Sequence, residues 1–248
     1  AQHMRAVLEA APPCAGALLL CSKGIEEESG KLLHTVARET CPDASVMVLS
    51  GPTFAHEVAA GLPTALTLAA EDEADAEAVR DRLALPAFRI YLSDDVAGAE
   101  VGGAVKNVLA IACGVVEGRG LGQNARAALI ARGFAEMTRF GLARGARAET
   151  LAGLSGLGDL VLTCSSVSSR NFSLGKGLGQ GRPAAELMAD RRTVAEGAFT
   201  APVLRRLAEE EGVEMPIVAA VDDLLAARAD VDSVLERLLS RPLRAERA

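Results

Sequence analysis

Residues 88–116 read FRIYLSDDVAGAEVGGAVKNVLAIACGVV, and the period of the apolar side chains changes partway along them. Phe88 to Leu92 has the length and composition of a strand. After Ser93 the strand signals stop. Val101, Val105, Val108, Ala112, Val115 and Val116 then recur at helical spacing until glycines at 118, 120 and 122 end the pattern. One long helix is predicted, and the chain divides around it: strands and helices alternate before residue 93, and only helices follow.

Working backwards, Ala17 to Cys21, Val46 to Leu49 and Thr64 to Leu68 read as further strands. Helical patterns separate them at Lys31 to Cys41, up to Ala60, and at Asp72 to Leu85, where Pro86 stops the last. Strands spaced by helices imply a largely parallel sheet covered on its faces. Working forwards, Asn124 is a plausible N-cap for a second long helix ending near Gly145. Further helices fit Arg170 to Gly179, Pro183 to Asp190, Gly197 to Gly212, Pro216 to Arg228 and Val231 to Leu239. The predicted class is α/β: a partial, doubly wound parallel sheet in residues 1–93, then an all-α domain in residues 94–248. The sequence opens at Ala1-Gln2-His3-Met4 inside a helical pattern, so a preceding N-terminal segment is expected to have been lost from the chain.

Composition narrows the function. The 248 residues are 50% hydrophobic but only 3% aromatic, which leaves almost nothing to stack on single-stranded nucleic acid. Lys and Arg total 26 against 33 Asp and Glu, a net charge of -7 with no basic cluster, so neither nucleic acid nor anionic lipid is an expected partner. The longest apolar run, Ala15 to Cys21, is far shorter than the roughly 20 residues of a bilayer span. Cys14, Cys21, Cys41, Cys113 and Cys164 contain no C-x-x-C pair, and His3, His34 and His56 share no ligand spacing. No metal is expected, and a reducing cytoplasm fits.

Chemistry-bearing candidates are few. Gly118, Gly120 and Gly122 lie between helices, and Gly175, Gly177, Gly179 and Gly181 follow a helix rather than a strand, so no usable nucleotide fingerprint is present. Lys106 sits among small and apolar neighbours that would desolvate it and lower its pKa, as a general acid/base requires. Spacing alone favours a snorkelling surface lysine. Asp159, in the run Gly153-Leu154-Ser155-Gly156-Leu157-Gly158-Asp159, is either an N-cap or a carboxylate held at a glycine-permitted bend. Ser168, Ser169, Arg170 and Asn171 make an anion site at a helix start, the alternative being a cap followed by an exposed arginine.

Ser22-Lys23-Gly24-Ile25-Glu26, Leu49-Ser50-Gly51-Pro52-Thr53-Phe54-Ala55, Ala104-Val105-Lys106-Asn107-Val108-Leu109-Ala110, Gly122-Gln123-Asn124-Ala125-Arg126, Gly156-Leu157-Gly158-Asp159-Leu160 and Ser168-Ser169-Arg170-Asn171 follow one another in the chain. In that order they resemble the NAD(P)-dependent glycerol-3-phosphate dehydrogenases of bacterial type, without the N-terminal part of the Rossmann-like dinucleotide-binding domain. The resemblance implies reversible hydride transfer between NAD or NADP and dihydroxyacetone phosphate, giving sn-glycerol 3-phosphate for phospholipid synthesis. It assigns Lys106 as proton donor and acceptor, with Asp159, Asn107 and Lys23 as its catalytic company. Lys23, Gly51, Thr53, Lys106, Asp159, Thr163, Ser169, Arg170 and Asn171 correspond to substrate contacts. Lys23, Ala55, Arg170, Val194 and Glu196 correspond to cofactor contacts. A homodimer is the partner considered besides the small phosphorylated substrate. The family's glycine-rich turn has no counterpart in this sequence, and the chain as given is expected not to be a competent dehydrogenase. Two other readings stand beside it: a related lysine-dependent hydroxyacid dehydrogenase, and a non-catalytic helical oligomerisation scaffold.

Overall fold

The computed structural model describes residues 1–189 and 195–242. Helix α1 (Met4–Ala10) leads into strand β1 (Ala17–Leu20), helix α2 (Leu33–Thr40), strand β2 (Ser45–Ser50), the short helix α3 (Ala55–Ala59), strand β3 (Thr64–Ala69), helix α4 (Glu73–Leu83) and strand β4 (Phe88–Ser93). The four strands form one sheet in sequence order. Alternation along each strand sends side chains to two separate cores. Val46 and Val48 pack with Leu20, Leu33, Ala37, Val96 and Ala99 on one face, and Met47 packs with Leu66, Leu68, Ala76 and Ile90 on the other. Helices therefore cover both faces.

β1 pairs parallel with β2, and β3 parallel with β4, but β2 and β3 run antiparallel, with Ser50 opposite Thr67. The connecting helix explains this. At five residues, α3 rises only about 7.5 Å, whereas a six-residue strand runs about 20 Å, so the connection does not carry the chain back to the start of β2. Because β1 and β2 are parallel, the loops that carry Lys23 and Gly51 leave the sheet at the same edge.

Helices alone follow: α5 (Val96–Gly118), α6 (Gly122–Ala143), α7 (Ala148–Ala152), a π-helical turn (Leu154–Gly158), α8 (Asp159–Cys164), α9 (Arg170–Gly179), α10 (Ala184–Leu187), α11 (Glu196–Glu210), α12 (Pro216–Leu225) and α13 (Val231–Leu239). α5 is the one helix among the described residues long and apolar enough to cross a membrane, and it lies wholly inside the protein. α6, α8, α9, α11 and α12 surround it. Asn124 is not the cap of α6: the helix begins two residues earlier, after Leu121, without a side-chain cap. α7 and the π-helical turn went unread because runs of five residues carry too little periodicity to register.

The closest approach within the helical part is backbone on backbone. A Cβ at Gly175 of α9 would lie 1.9 Å from the Ile111 carbonyl oxygen of α5, and one at Gly114 would lie 2.1 Å from that of Phe172. The glycines of α9 are thus packing residues, which lets the two helices touch along a seam. At the other end of the core, Asp223 of α12 receives Arg205, Arg228 and Arg237. Burial alone would raise its pKa, but the three guanidinium groups outweigh burial and bring it down to about 2.

Gly175→Ala forces a methyl group into the α5 backbone. We expect it to lower unfolding free energy by about 3 kcal/mol, the upper range for overpacking, as read from urea denaturation. A variant with wild-type midpoint would show that the seam yields without cost.

Candidate active site

The buried lysine that α5 carries is the starting point. Lys106 is 7% exposed, so its ammonium has lost most of its water and must find partners in the protein. Two come from α8. Asp159 and Thr163 stand four residues apart, on one face of that helix, and Lys106 Nζ donates to Asp159 Oδ1 at 2.7 Å and to Thr163 Oγ1 at 2.8 Å. Thr163 passes its own hydroxyl proton toward Asp159 Oδ1 at 3.2 Å. The bland reading of Lys106 as a snorkelling surface residue is therefore wrong: α5 has no solvent face at that point. Asp159 is no cap either. Gly158 occupies the cap position, and the carboxylate, fully buried, is turned to the lysines. The π-helical turn just before it directs α8 to this place.

A second ammonium comes from the sheet. Lys23, just beyond β1, donates to Asp159 Oδ2 and, at 3.3 Å, to the Gly51 carbonyl beyond β2. Gly51 has φ +154 and packs so closely on β3 that a Cβ would lie 2.8 Å from that of Leu66, so only glycine brings its carbonyl here. One carboxylate thus serves two ammonium groups, leaving a net positive charge. Burial pushes the pKa of Lys106 down and the charge of Lys23 pushes it further; Asp159 opposes both, and the result is about 8.

Asn107 adjoins this network. Its Oδ1 accepts from Asn171 Nδ2 at 3.0 Å, and Asn171 Oδ1 accepts the backbone N–H of Gly197 at 2.9 Å. Asn171 therefore ties the starts of α9 and α11 to α5, and both ends of its amide are already engaged. Ser169 caps α9 by accepting from the Phe172 N–H. Arg170 is exposed, with no ion-pair partner among the described residues. Thr53 donates to the Gly51 carbonyl at 3.2 Å. Ala55 is the exposed first residue of α3, and Glu196 opens α11 beside Gly24. Neither joins the lysine–aspartate network. Val194 lies outside the described residues. Ser50 and Gly103, both at this corner, were not singled out from the sequence; a serine ending a strand and a glycine inside a helix give no signal of their own.

A family model described as NAD-dependent glycerol-3-phosphate dehydrogenase C-terminus matches residues 95–236, and its N-terminus counterpart matches residues 1–76. The chain belongs to the NAD-dependent glycerol-3-phosphate dehydrogenase family. A relative from Erythrobacter litoralis, named glycerol-3-phosphate dehydrogenase (NAD(P)+), is 69% identical over 99% of this chain and 74% of its own length. One of the same name from Novosphingobium aromaticivorans is 66% identical over 99% of this chain and 75% of its own. The crystal structure of glycerol-3-phosphate dehydrogenase from Coxiella burnetii superposes with TM-score 0.92 at 37% identity, covering 97% of this chain and 74% of that one. Family membership sets aside both the scaffold and the hydroxyacid dehydrogenase alternatives.

The electrostatics make opposite demands of two substitutions. Lys23→Met removes a positive neighbour and should raise the Lys106 titration above about 8, whereas Asp159→Asn removes the group that favours the ammonium and should lower it. NMR titration of the Lys106 ε-amine reads both. Shifts of the same sign would refute this account of the site.

Proposed function

We propose that this protein interconverts dihydroxyacetone phosphate and sn-glycerol 3-phosphate, with Lys106 giving the proton to the carbonyl oxygen in one direction and taking it back in the other. The observation that carries this reading is a buried lysine held between Asp159 and Thr163 and facing a second ammonium, surroundings that bring its pKa down to about 8. Such a group changes protonation near neutrality at little cost, as acid/base catalysis requires. Negative charge builds on the carbonyl oxygen as the adjacent carbon is reduced, and the ammonium groups of Lys23 and Lys106 favour that charge. Asp159 holds both amines in the free protein.

Arg170 is read as the phosphate grip. It stands at the first position of α9, where backbone N–H groups are free for an anion and a planar guanidinium offers two parallel donors. Asn171 and Ser169 support it by fixing where α9 begins. On the cofactor side the same reading takes Lys23, Arg170, Ala55 at the opening of α3 and Glu196 at the opening of α11 as contacts of NAD(P), supported by the exposure of Ala55 and Arg170 and the partial exposure of Lys23. Val194 belongs to the same set. NAD(P) supplies or accepts the hydride when bound. This reading includes the division at residues 93 and 94, a role in supplying phospholipid synthesis, and a homodimer. It also includes a cytoplasmic setting, supported by five free cysteines.

The direction of proton flow fixes the pH response. Reduction needs the Lys106 ammonium and should decline as pH rises through about 8, while oxidation needs the free amine and should increase over the same range. In a complete dehydrogenase chain, Lys106→Ala should lower turnover roughly a hundredfold or more in both directions. Near-normal turnover with NADH or NADPH in that variant would remove Lys106 from the mechanism.

Arg170→Lys isolates the phosphate grip, because a compact ammonium does not reproduce the two-point contact. Calorimetry should show glycerol 3-phosphate binding weakened by about 1.5 to 3 kcal/mol, with glycerol itself indifferent. Equal losses for both ligands would place Arg170 elsewhere in the reaction.

A further inference from the structure

One hydroxyl at this corner has no role in the scheme above. Ser50 ends β2, is 3% exposed, and its Oγ has no hydrogen-bond partner among the described residues. A buried hydroxyl left without a partner costs stability, and alanine would remove that cost. Its surroundings are those of Lys23. The next residue, Gly51, gives its carbonyl to Lys23 Nζ. Opposite both lies the bare Cα of Gly103 on α5, one turn before Lys106. A Cβ there would lie 3.3 Å from Ser50 Oγ and 3.2 Å and 3.4 Å from Lys23 Cγ and Cδ. The Ser50 hydroxyl and the stem of Lys23 therefore both border the same point of the helix. The Gly103 carbonyl accepts from Asn107 Nδ2 at 3.3 Å, and Ser50 Oγ bonds to nothing on α5 among the described residues.

Lys23 has three N–H donors, and its two acceptors are the Gly51 carbonyl and Asp159 Oδ2. A substrate hydroxyl that approaches Lys106 can donate to Asp159 and so competes with Lys23 for the second of these. The ammonium of Lys23, on a side chain only 20% exposed, then lacks an acceptor on its protein side, and Ser50 Oγ, at the same corner, has no partner of its own among the described residues. Resting on the functional reading above, we propose that Ser50 is a positioning residue for Lys23. Its hydroxyl receives the Lys23 ammonium when the substrate hydroxyl, as donor, takes the place of Lys23 at Asp159, and keeps that charge close to Lys106. The hydroxyl is thus idle in the free protein and engaged in the complex.

The experiment compares the parent chain with Ser50→Ala and Ser50→Thr by three measurements: thermal unfolding, calorimetric titration with glycerol 3-phosphate, and NMR titration of the Lys106 ε-amine at saturating glycerol 3-phosphate. Ser50→Ala should unfold at or above the parent temperature yet bind roughly three- to tenfold more weakly, the range for one hydrogen bond. In its complex Lys106 should titrate at higher pH than in the parent, because the charge of Lys23 is no longer held nearby. Ser50→Thr retains the hydroxyl and should bring affinity and titration back toward the parent. Parent-like affinity and titration in Ser50→Ala would overturn the proposal. So would a fall in unfolding temperature in step with the fall in affinity, the signature of lost packing. A parent chain that does not bind glycerol 3-phosphate would refute the functional reading itself, and this inference with it, before any variant is compared.

Discussion

Helix α5 is enclosed by protein along its length, and the ammonium it carries at Lys106 governs what can pack around it. An isolated charge at that depth would cost several kcal/mol. The surrounding elements answer that demand. α8 must present Asp159 and Thr163 on the face toward Lys106, and the π-helical turn before α8 makes that orientation possible. The glycine seam between α5 and α9 fixes the spacing on the other side, and it is α9 that brings Asn171 to Asn107. The same carboxylate then draws Lys23 from beyond β1, so a single buried anion joins the sheet to the helices.

The charge balance of this corner separates it from other buried ionisable groups. Glu136 on α6 is also buried, and desolvation raises its pKa to about 7 even though the N–H groups of Ile217 and Val218 act the other way. Those donors make it a cap for the start of α12, with the carboxylate filling a need of the fold. At Lys106 the protein groups leave an excess positive charge instead, since two ammonium groups share one carboxylate. A perturbed pKa alone does not mark a functional site. An unbalanced charge, with an exposed arginine at the start of an adjoining helix, is a stronger indication, because both are complementary to an anionic ligand.

The architecture was largely legible in the sequence because its elements have strong periods. All four strands, α5 and most of the later helices lie within a few residues of where apolar spacing, prolines and glycines put them. The antiparallel turn between β2 and β3 was not legible: strand direction depends on the length of the connecting helix in space, and α3 is only five residues long. The start of α6 was missed for a related reason. Leu121 has no capping side chain, and the helix begins at Gly122, so nothing chemical marks its boundary.

For the site, the sequence by itself determined the chemical groups: the lysines, the carboxylate, the arginine and the glycine-bounded segments that carry them, together with the family pattern in which they occur. Only the tertiary structure decided what those groups are. Spacing along one helix does not tell a buried lysine from a snorkelling one, since burial of Lys106 depends on the helices packed around α5 and its pairing on a carboxylate 53 residues away. It likewise does not say that Asn171 is a strut, that Ser50 stands unpartnered, or that Lys23 reaches Asp159 across 136 residues of chain. Local sequence sets which conformations a segment prefers; the desolvation and pairing that give a side chain its chemistry come from contacts between segments, and those exist only once the chain has folded.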